Sequence, residues 1–186
     1  MKSVCVYLGA NSGTSPRLAH VAHSLGQEIA RRGLRLIYGG SRVGLMGVLA
    51  QAVIANGGQV VGIIPNILLS QEKAHPDLNQ LIVVETMQER KQLMHQYADA
   101  FIVMPGGLGT LEEALETWSA IKIGLIDKPL GFLNIEGFYD GLFSFVSHCQ
   151  HQGFLTPRQS AIPILSDEPI KLLDALFATY GQATLN

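Results

Sequence analysis

Short runs of apolar and β-branched residues alternate along the chain with longer segments in which apolar residues recur every three or four positions. The runs are SVCVYLG, LRLIYGG, QVVGIIP, LIVVE, AFIVMPGG and PLGFLN, most of them ending on Gly, Asn or Pro, and they predict strands. Between the first two, PRLAHVAHSLGQEIARRG carries apolar residues at 18, 19, 22, 25, 29 and 30, with Pro16 at the entry and Gly33 at the exit, which predicts a helix. GLMGVLAQAVIANGG is apolar on all sides and fits a helix wedged between a sheet and a neighbour. MQERKQLMHQYA is more polar and turns Met87, Met94 and Tyr97 toward the core. NILLSQEKAHPDLNQ has weak periodicity and reads as a loop with at most one short helix. Beyond residue 153 a last short extended run precedes a C-terminal helix that starts near Asp167.

Strands this uniformly apolar are covered on both faces, and strands alternating with helices favour parallel pairing through right-handed crossovers. The expected fold is therefore α/β: an open parallel sheet with helices on both faces. No internal repeat, linker or low-complexity tract divides the chain, so residues 1–186 are expected to form one domain.

Composition narrows the function. The 186 residues are 47% hydrophobic and only 15% charged, which predicts an ordered chain with a large core and an apolar surface suited to a homo-oligomer. A formal net charge of −2 supplies no basic field for nucleic acid, so the expected partner is a small molecule. Cys5 and Cys149 lack CxxC spacing and read as reduced thiols of a cytoplasmic protein. The apolar run before Gly9 is too short for a signal peptide or a membrane span.

In open parallel sheets, ligands bind beyond the carboxyl ends of the strands. The segments found there are GANSG (9–13), GGSRVGLMG (39–47), IPNILLSQE (64–72) and PGGLGTLEE (105–113), and they are expected to form one rim. GGLGTLEE lacks the GK[ST] of a P-loop and the third glycine of a dinucleotide fingerprint, so a nicotinamide cofactor is not expected. It remains a strand, a Gly-Gly turn open to a ligand, and a helix starting near Thr110, whose amides and hydroxyl suit a phosphate. Glu113 then has two readings. It is the N3 partner of a Thr110 capping box, or it faces a ribose or a reacting carbon, since a carboxylate pointed at phosphate is repelled. Gly39, Gly40, Ser41 and Arg42 form a second glycine turn, either a plain strand-to-helix connection or part of a nucleotide pocket. Arg90 and Lys91 lie in a helix, either as solvated surface or as site residues. The pairs His20/His23 and His148/His151 lack a completing ligand and read as surface histidines, so no metal is expected.

Taken together, these segments carry a family resemblance. PGGLGTLEE matches PGGxGTxxE, and Met87 through Lys91 resembles an M-H-x-R-K element. With YGGSRVGLMG, GIIP, ADAFIVMPGG, DKP and LNIEGFYD, the chain resembles the Lonely Guy family of cytokinin-activating phosphoribohydrolases, long labelled possible lysine decarboxylases. The resemblance implies a Rossmann-like fold, a homodimer, no cofactor, and hydrolysis of a nucleoside 5′-monophosphate to free base and ribose 5-phosphate. The base it implies is an N6-modified adenine, with AMP itself as the simpler substrate. It makes Arg90 and Glu113 the catalytic pair. It assigns Lys91, Gly106, Gly107, Leu108, Gly109, Thr110 and Glu72 to substrate binding. Ser119 stands where the family commonly has a substrate-contacting Thr. The alternatives are a general purine or pyrimidine 5′-nucleotide nucleosidase and a noncatalytic nucleotide or cofactor carrier. Nothing marks a lysine for pyridoxal phosphate, which counts against decarboxylation.

Overall fold

The computed structural model describes residues 1–183, and of these the side chains of all but 70–72 and 182–183. Seven strands, β1 (Ser3–Tyr7), β2 (Arg35–Tyr38), β3 (Gln59–Pro65), β4 (Gln80–Val84), β5 (Phe101–Val103), β6 (Leu130–Leu133) and β7 (Ile164–Ser166), form one sheet in the order β4-β3-β2-β1-β5-β6-β7. Every pairing is parallel. The direction of winding reverses where β1 meets β5, with Tyr7 opposite Val103. That junction is the topological switch point at which such sheets open a crevice.

The helices are α1 (Pro16–Arg31), α2 (Gly44–Ala55), α3 (Asn66–Glu72), α4 (Met87–Tyr97), α5 (Leu108–Lys122), α6 (Asp140–His151), α7 (Pro157–Ser160) and α8 (Pro169–Ala183). Period-two alternation divides the apolar residues of the strands between two cores. Val4, Val6, Leu36, Tyr38 and Ile102 face Leu25, Ile29, Leu49 and Leu172 of α1, α2 and α8. Cys5, Tyr7, Ile37, Phe101 and Val103 face the opposite way, onto Met94, Ala114, Trp118 and Val146 of α4, α5 and α6. Arg90 and Glu113 come from α4 and α5 on this second face.

Local chemistry starts and stops the helices near the expected places. Ser15 caps α1 by accepting from Arg17 N, Pro16 occupies the first helical position, and Gly33 leaves the helix at φ +66°. The segment read as a loop with at most one short helix holds one, α3, directly after β3. In α4, Met94 is buried as expected, whereas Met87 and Tyr97 are only partly covered. What the helix buries besides Met94 is the charged pair Arg90 and Lys91, which rules out the solvated reading for both.

Candidate active site

Helix α5 is the element that builds the site. It begins at Leu108 with Gly107 as its N-cap, so Thr110 is the third helical residue. Thr110 and Glu113 therefore do not form a capping box, and no side chain caps this helix. Starting two residues earlier places Glu113 in the second turn, where it is buried at 7% exposure. The first intrahelical bond runs from Leu111 N to Gly107 O at 3.1 Å. The amides of Leu108, Gly109 and Thr110 precede it, without intrahelical acceptors and at the positive end of the helix dipole. They are suited to an anion.

These amides border a cavity of about 440 Å³ at the switch point. All four predicted rim segments reach it: Gly9, Ala10, Asn11 and Gly13 after β1; Gly39, Leu45 and Met46 after β2; Leu68 after β3; and Pro105, Gly106, Gly107, Gly109, Thr110 and Glu113 after β5. Arg90 enters from α4 and is 5% exposed. One guanidinium nitrogen lies 3.3 Å from Glu113 Oε1, an ion pair in which both side chains are nearly inaccessible. Arg90 Nε is buried without a hydrogen-bond partner. A buried, unmet donor beside an anion-ready helix end is a costly arrangement.

The glycines divide into two kinds. A Cβ at Gly39 would lie 2.3 Å from an Arg90 guanidinium nitrogen, and one at Gly106 would lie 2.1 Å from Thr110 Oγ1 and 2.9 Å from Gly9 N. Those two are required by close approach within the protein. A Cβ at Gly107 or Gly109 would meet no protein atom within 4 Å. The space they leave adjoins the cavity, where the backbone is bare toward whatever occupies it.

Of the other residues expected in the site, Gly40, Ser41, Leu108, Lys91 and Ser119 do not line the cavity. Gly40 makes the turn beside Gly39 at φ +82°, with its carbonyl accepting from His75 N at 3.0 Å. Ser41 is fully buried and its Oγ accepts from Val43 N at 3.2 Å. Leu108 contributes its amide, but its side chain is 86% exposed. Lys91 turns away from the cavity and is held between Glu112 and Glu116 of α5. Ser119 lines a different, more open groove of about 750 Å³ with Gln88, His95, Ala120 and Leu125. Glu72 ends α3, and its side chain lies outside the described residues. His20, His23, His148 and His151 are all exposed.

Two aromatic contributors were missed. Tyr7, at the carboxyl end of β1, lines the cavity and stands at bonding distance, 3.0 Å, from Thr117 Oγ1. Thr117 in turn donates to Glu113 O at 2.8 Å and meets His95 Nε2 at 2.9 Å. One hydroxyl has one proton. With that proton on the Glu113 carbonyl, Tyr7 and His95 must both donate to Thr117, which fixes the Nε2–H tautomer of His95. Burial pushes the Tyr7 phenol well up and the His95 imidazole down, which keeps both neutral at pH 7. The second contributor, Phe138, follows β6 and closes one side of the cavity. The rule that led to the other strand ends applies to both residues, but it was not extended to the last residue of β1 or to the end of β6.

The family described as possible lysine decarboxylase matches residues 46–176. A cytokinin riboside 5′-monophosphate phosphoribohydrolase of Arabidopsis thaliana is 41% identical over 177 residues, 95% of this chain and 78% of that protein. The protein of the same name from Rhodococcoides fascians is 47% identical over 159 residues, 84% of this chain and 79% of the other. Among solved structures, the molybdenum cofactor binding protein of Rippkaea orientalis has a TM-score of 0.70 at 22% identity, covering 96% of this chain and 97% of that one. This last is a likeness of fold alone.

Proposed function

The chain belongs to the family described as possible lysine decarboxylase, and we propose that within it the protein works as a phosphoribohydrolase through Arg90 and Glu113. It hydrolyses the N-glycosidic bond of a nucleoside 5′-monophosphate, an N6-modified adenosine monophosphate as in the names of its relatives, and releases free base and ribose 5-phosphate. The observation that carries the assignment of roles is the buried Arg90–Glu113 ion pair at 3.3 Å, opening onto the cavity beside the free amides of α5.

In this reading the 5′-phosphate lies on the Leu108, Gly109 and Thr110 amides, against the bare backbone of Gly107 and Gly109. Glu113, one helical turn further in, faces the sugar. As the bond from C1′ to the base nitrogen lengthens, positive charge grows on the ribose, and a carboxylate at that point stabilises it. Glu113 also takes the proton of the attacking water, whose oxygen bonds to C1′ while the bonding electrons leave with the base. Arg90 orients Glu113 through one guanidinium nitrogen. Among the described residues no lysine lines the cavity, so the site has no amine with which to hold pyridoxal phosphate, in spite of the family's description.

The same proposal includes a cytoplasmic homodimer. It is supported by two free cysteines and by Ile123 and Leu125, 63% and 76% exposed, along the open groove at the end of α5. No helix among the described residues is long and apolar enough to cross a membrane.

The test is incubation with AMP and with N6-isopentenyladenosine 5′-monophosphate, followed by assay of free base and ribose 5-phosphate. Glu113→Gln keeps the size of the side chain and removes its charge. It is expected to bind ribose 5-phosphate as the parent does and to lose turnover by about 10²-fold or more. Unchanged turnover refutes the role of Glu113, and binding without release of base by the parent protein favours a carrier.

A further inference from the structure

Arg90 and Lys91 are adjacent in α4, and both are buried, yet they reach different faces of α5. Arg90 enters the cavity and meets Glu113, while the Lys91 ammonium sits between Glu112 Oε1 and Glu116 Oε2 on the outer side. Glu112 and Glu116 are four residues apart and so share one helical face, with Glu113 turned about 100° from Glu112. The two helices are thus joined by two parallel contacts, one inside the site and one outside it. Lys91 is not among the residues that line the cavity.

Charge points the same way as geometry. Lys91 with its two carboxylates carries a formal net charge of −1, which repels a phosphate. Bringing the ammonium into the cavity would require it to abandon both partners and leave two like charges facing each other on α5. The side chain of Lys91 is 9% exposed, against 51% and 44% for Glu112 and Glu116, so its charge is spent on the helix contact.

We propose that Lys91, with Glu112 and Glu116, is a positioning clamp that sets the approach of Arg90 to Glu113, and that it does not bind the substrate's phosphate. The proposal rests on the reading of Arg90 and Glu113 as the catalytic pair. A clamp outside the cavity acts on the chemical step, because displacing a reacting group by an ångström costs up to about 10²-fold in rate while leaving the ligand's own contacts in place. It therefore lowers kcat and spares KM.

The experiment compares steady-state kinetics with N6-isopentenyladenosine 5′-monophosphate, and inhibition by ribose 5-phosphate, across Lys91→Met, Lys91→Arg, Glu112→Gln/Glu116→Gln and the triple variant Lys91→Met/Glu112→Gln/Glu116→Gln. Lys91→Met and the double Gln variant are each expected to lower kcat by roughly 10- to 100-fold, with KM and the inhibition constant within about twofold of the parent. The triple variant is expected to be no worse than either, since all three break one interaction, and Lys91→Arg is expected to recover most of the rate. A tenfold rise in KM and in the inhibition constant for Lys91→Met, with kcat retained, overturns the proposal and makes Lys91 a ligand. So does parental activity in the double Gln variant, which changes only half-exposed side chains and gives an answer even if Lys91→Met does not fold. Full turnover by Glu113→Gln removes the catalytic pair and the clamp's purpose with it, whereas active clamp variants beside an inactive Glu113→Gln overturn the clamp alone.

Discussion

Gly106 and Gly109 lie three residues apart at the start of α5, and alanine at each is expected to change stability in opposite directions. At 106 the added methyl would lie 2.1 Å from Thr110 Oγ1, 2.7 Å from Thr110 Cβ and 2.9 Å from Gly9 N, two of them on one side chain and one on backbone. Relief requires the β1 and β5 ends to part, an overpacking cost of about 1–3 kcal/mol. At 109 the methyl meets no protein atom within 4 Å, and the residue lies inside a helix. Replacing helical Gly with Ala there stabilises by about 0.4–1 kcal/mol, chiefly by restricting the unfolded chain. For a chain of 186 residues this corresponds to a rise in Tm of roughly 1–4 °C for Gly109→Ala and a fall of about 2–12 °C for Gly106→Ala. Function separates from stability at Gly109, because its methyl occupies the space assigned to the phosphate. Affinity for ribose 5-phosphate is expected to fall about tenfold or more, equivalent to roughly 1.4 kcal/mol. Scanning calorimetry in phosphate-free buffer and titration calorimetry with ribose 5-phosphate read the two effects independently. A Gly109→Ala protein that is stabilised yet binds and turns over as the parent does would refute the placement of the phosphate.

Two further perturbations test the scaffold around the site. Thr117→Val keeps the shape of a fully buried side chain but leaves the Tyr7 and His95 donors without their acceptor, at a cost of about 1–3 kcal/mol in denaturant unfolding; adding Tyr7→Phe is expected to return part of it, and a neutral Thr117→Val would refute the hydrogen-bond hub. Glu28, bonded chiefly by Arg31 and also by Arg32, has its carboxyl lowered from 4.5 to about 2, so its contribution is complete above about pH 4.5 and is lost as pH falls toward 2. Discounted for the 70% exposure of Arg31, that contribution is about 1–2 kcal/mol, and the stability gap between the parent and Glu28→Gln is expected to close across this range; a gap that does not change with pH would refute the ionic account.

The strand-end rule made most of the cavity legible before any coordinates, because a parallel sheet forces the residues after each strand onto one edge, whatever their identity. Glu113 illustrates what that rule leaves open. Sequence offered a capping box for it, and the motif Thr-Leu-Glu-Glu fits one, but the helix starts at Leu108, and the choice between capping and pocket depended on three residues of helix register, from Thr110 to Gly107 as N-cap. Arg90 and Lys91 show a second limit. They are neighbours of the same charge and nearly equal burial, yet the cavity receives only Arg90, because Gly39 leaves room for its guanidinium while Glu112 and Glu116 draw the ammonium to the outer face. Those three determinants lie 21 or more residues from the side chain each directs, so no local pattern carries them. Thr117 was hidden for a similar reason: its hydroxyl looks like an ordinary helical back-bond until β1 and α4 bring Tyr7 and His95 to the same oxygen. Local pattern thus places the backbone of this site, and the division of labour among its charged and hydroxyl side chains is set by contacts between elements distant in sequence.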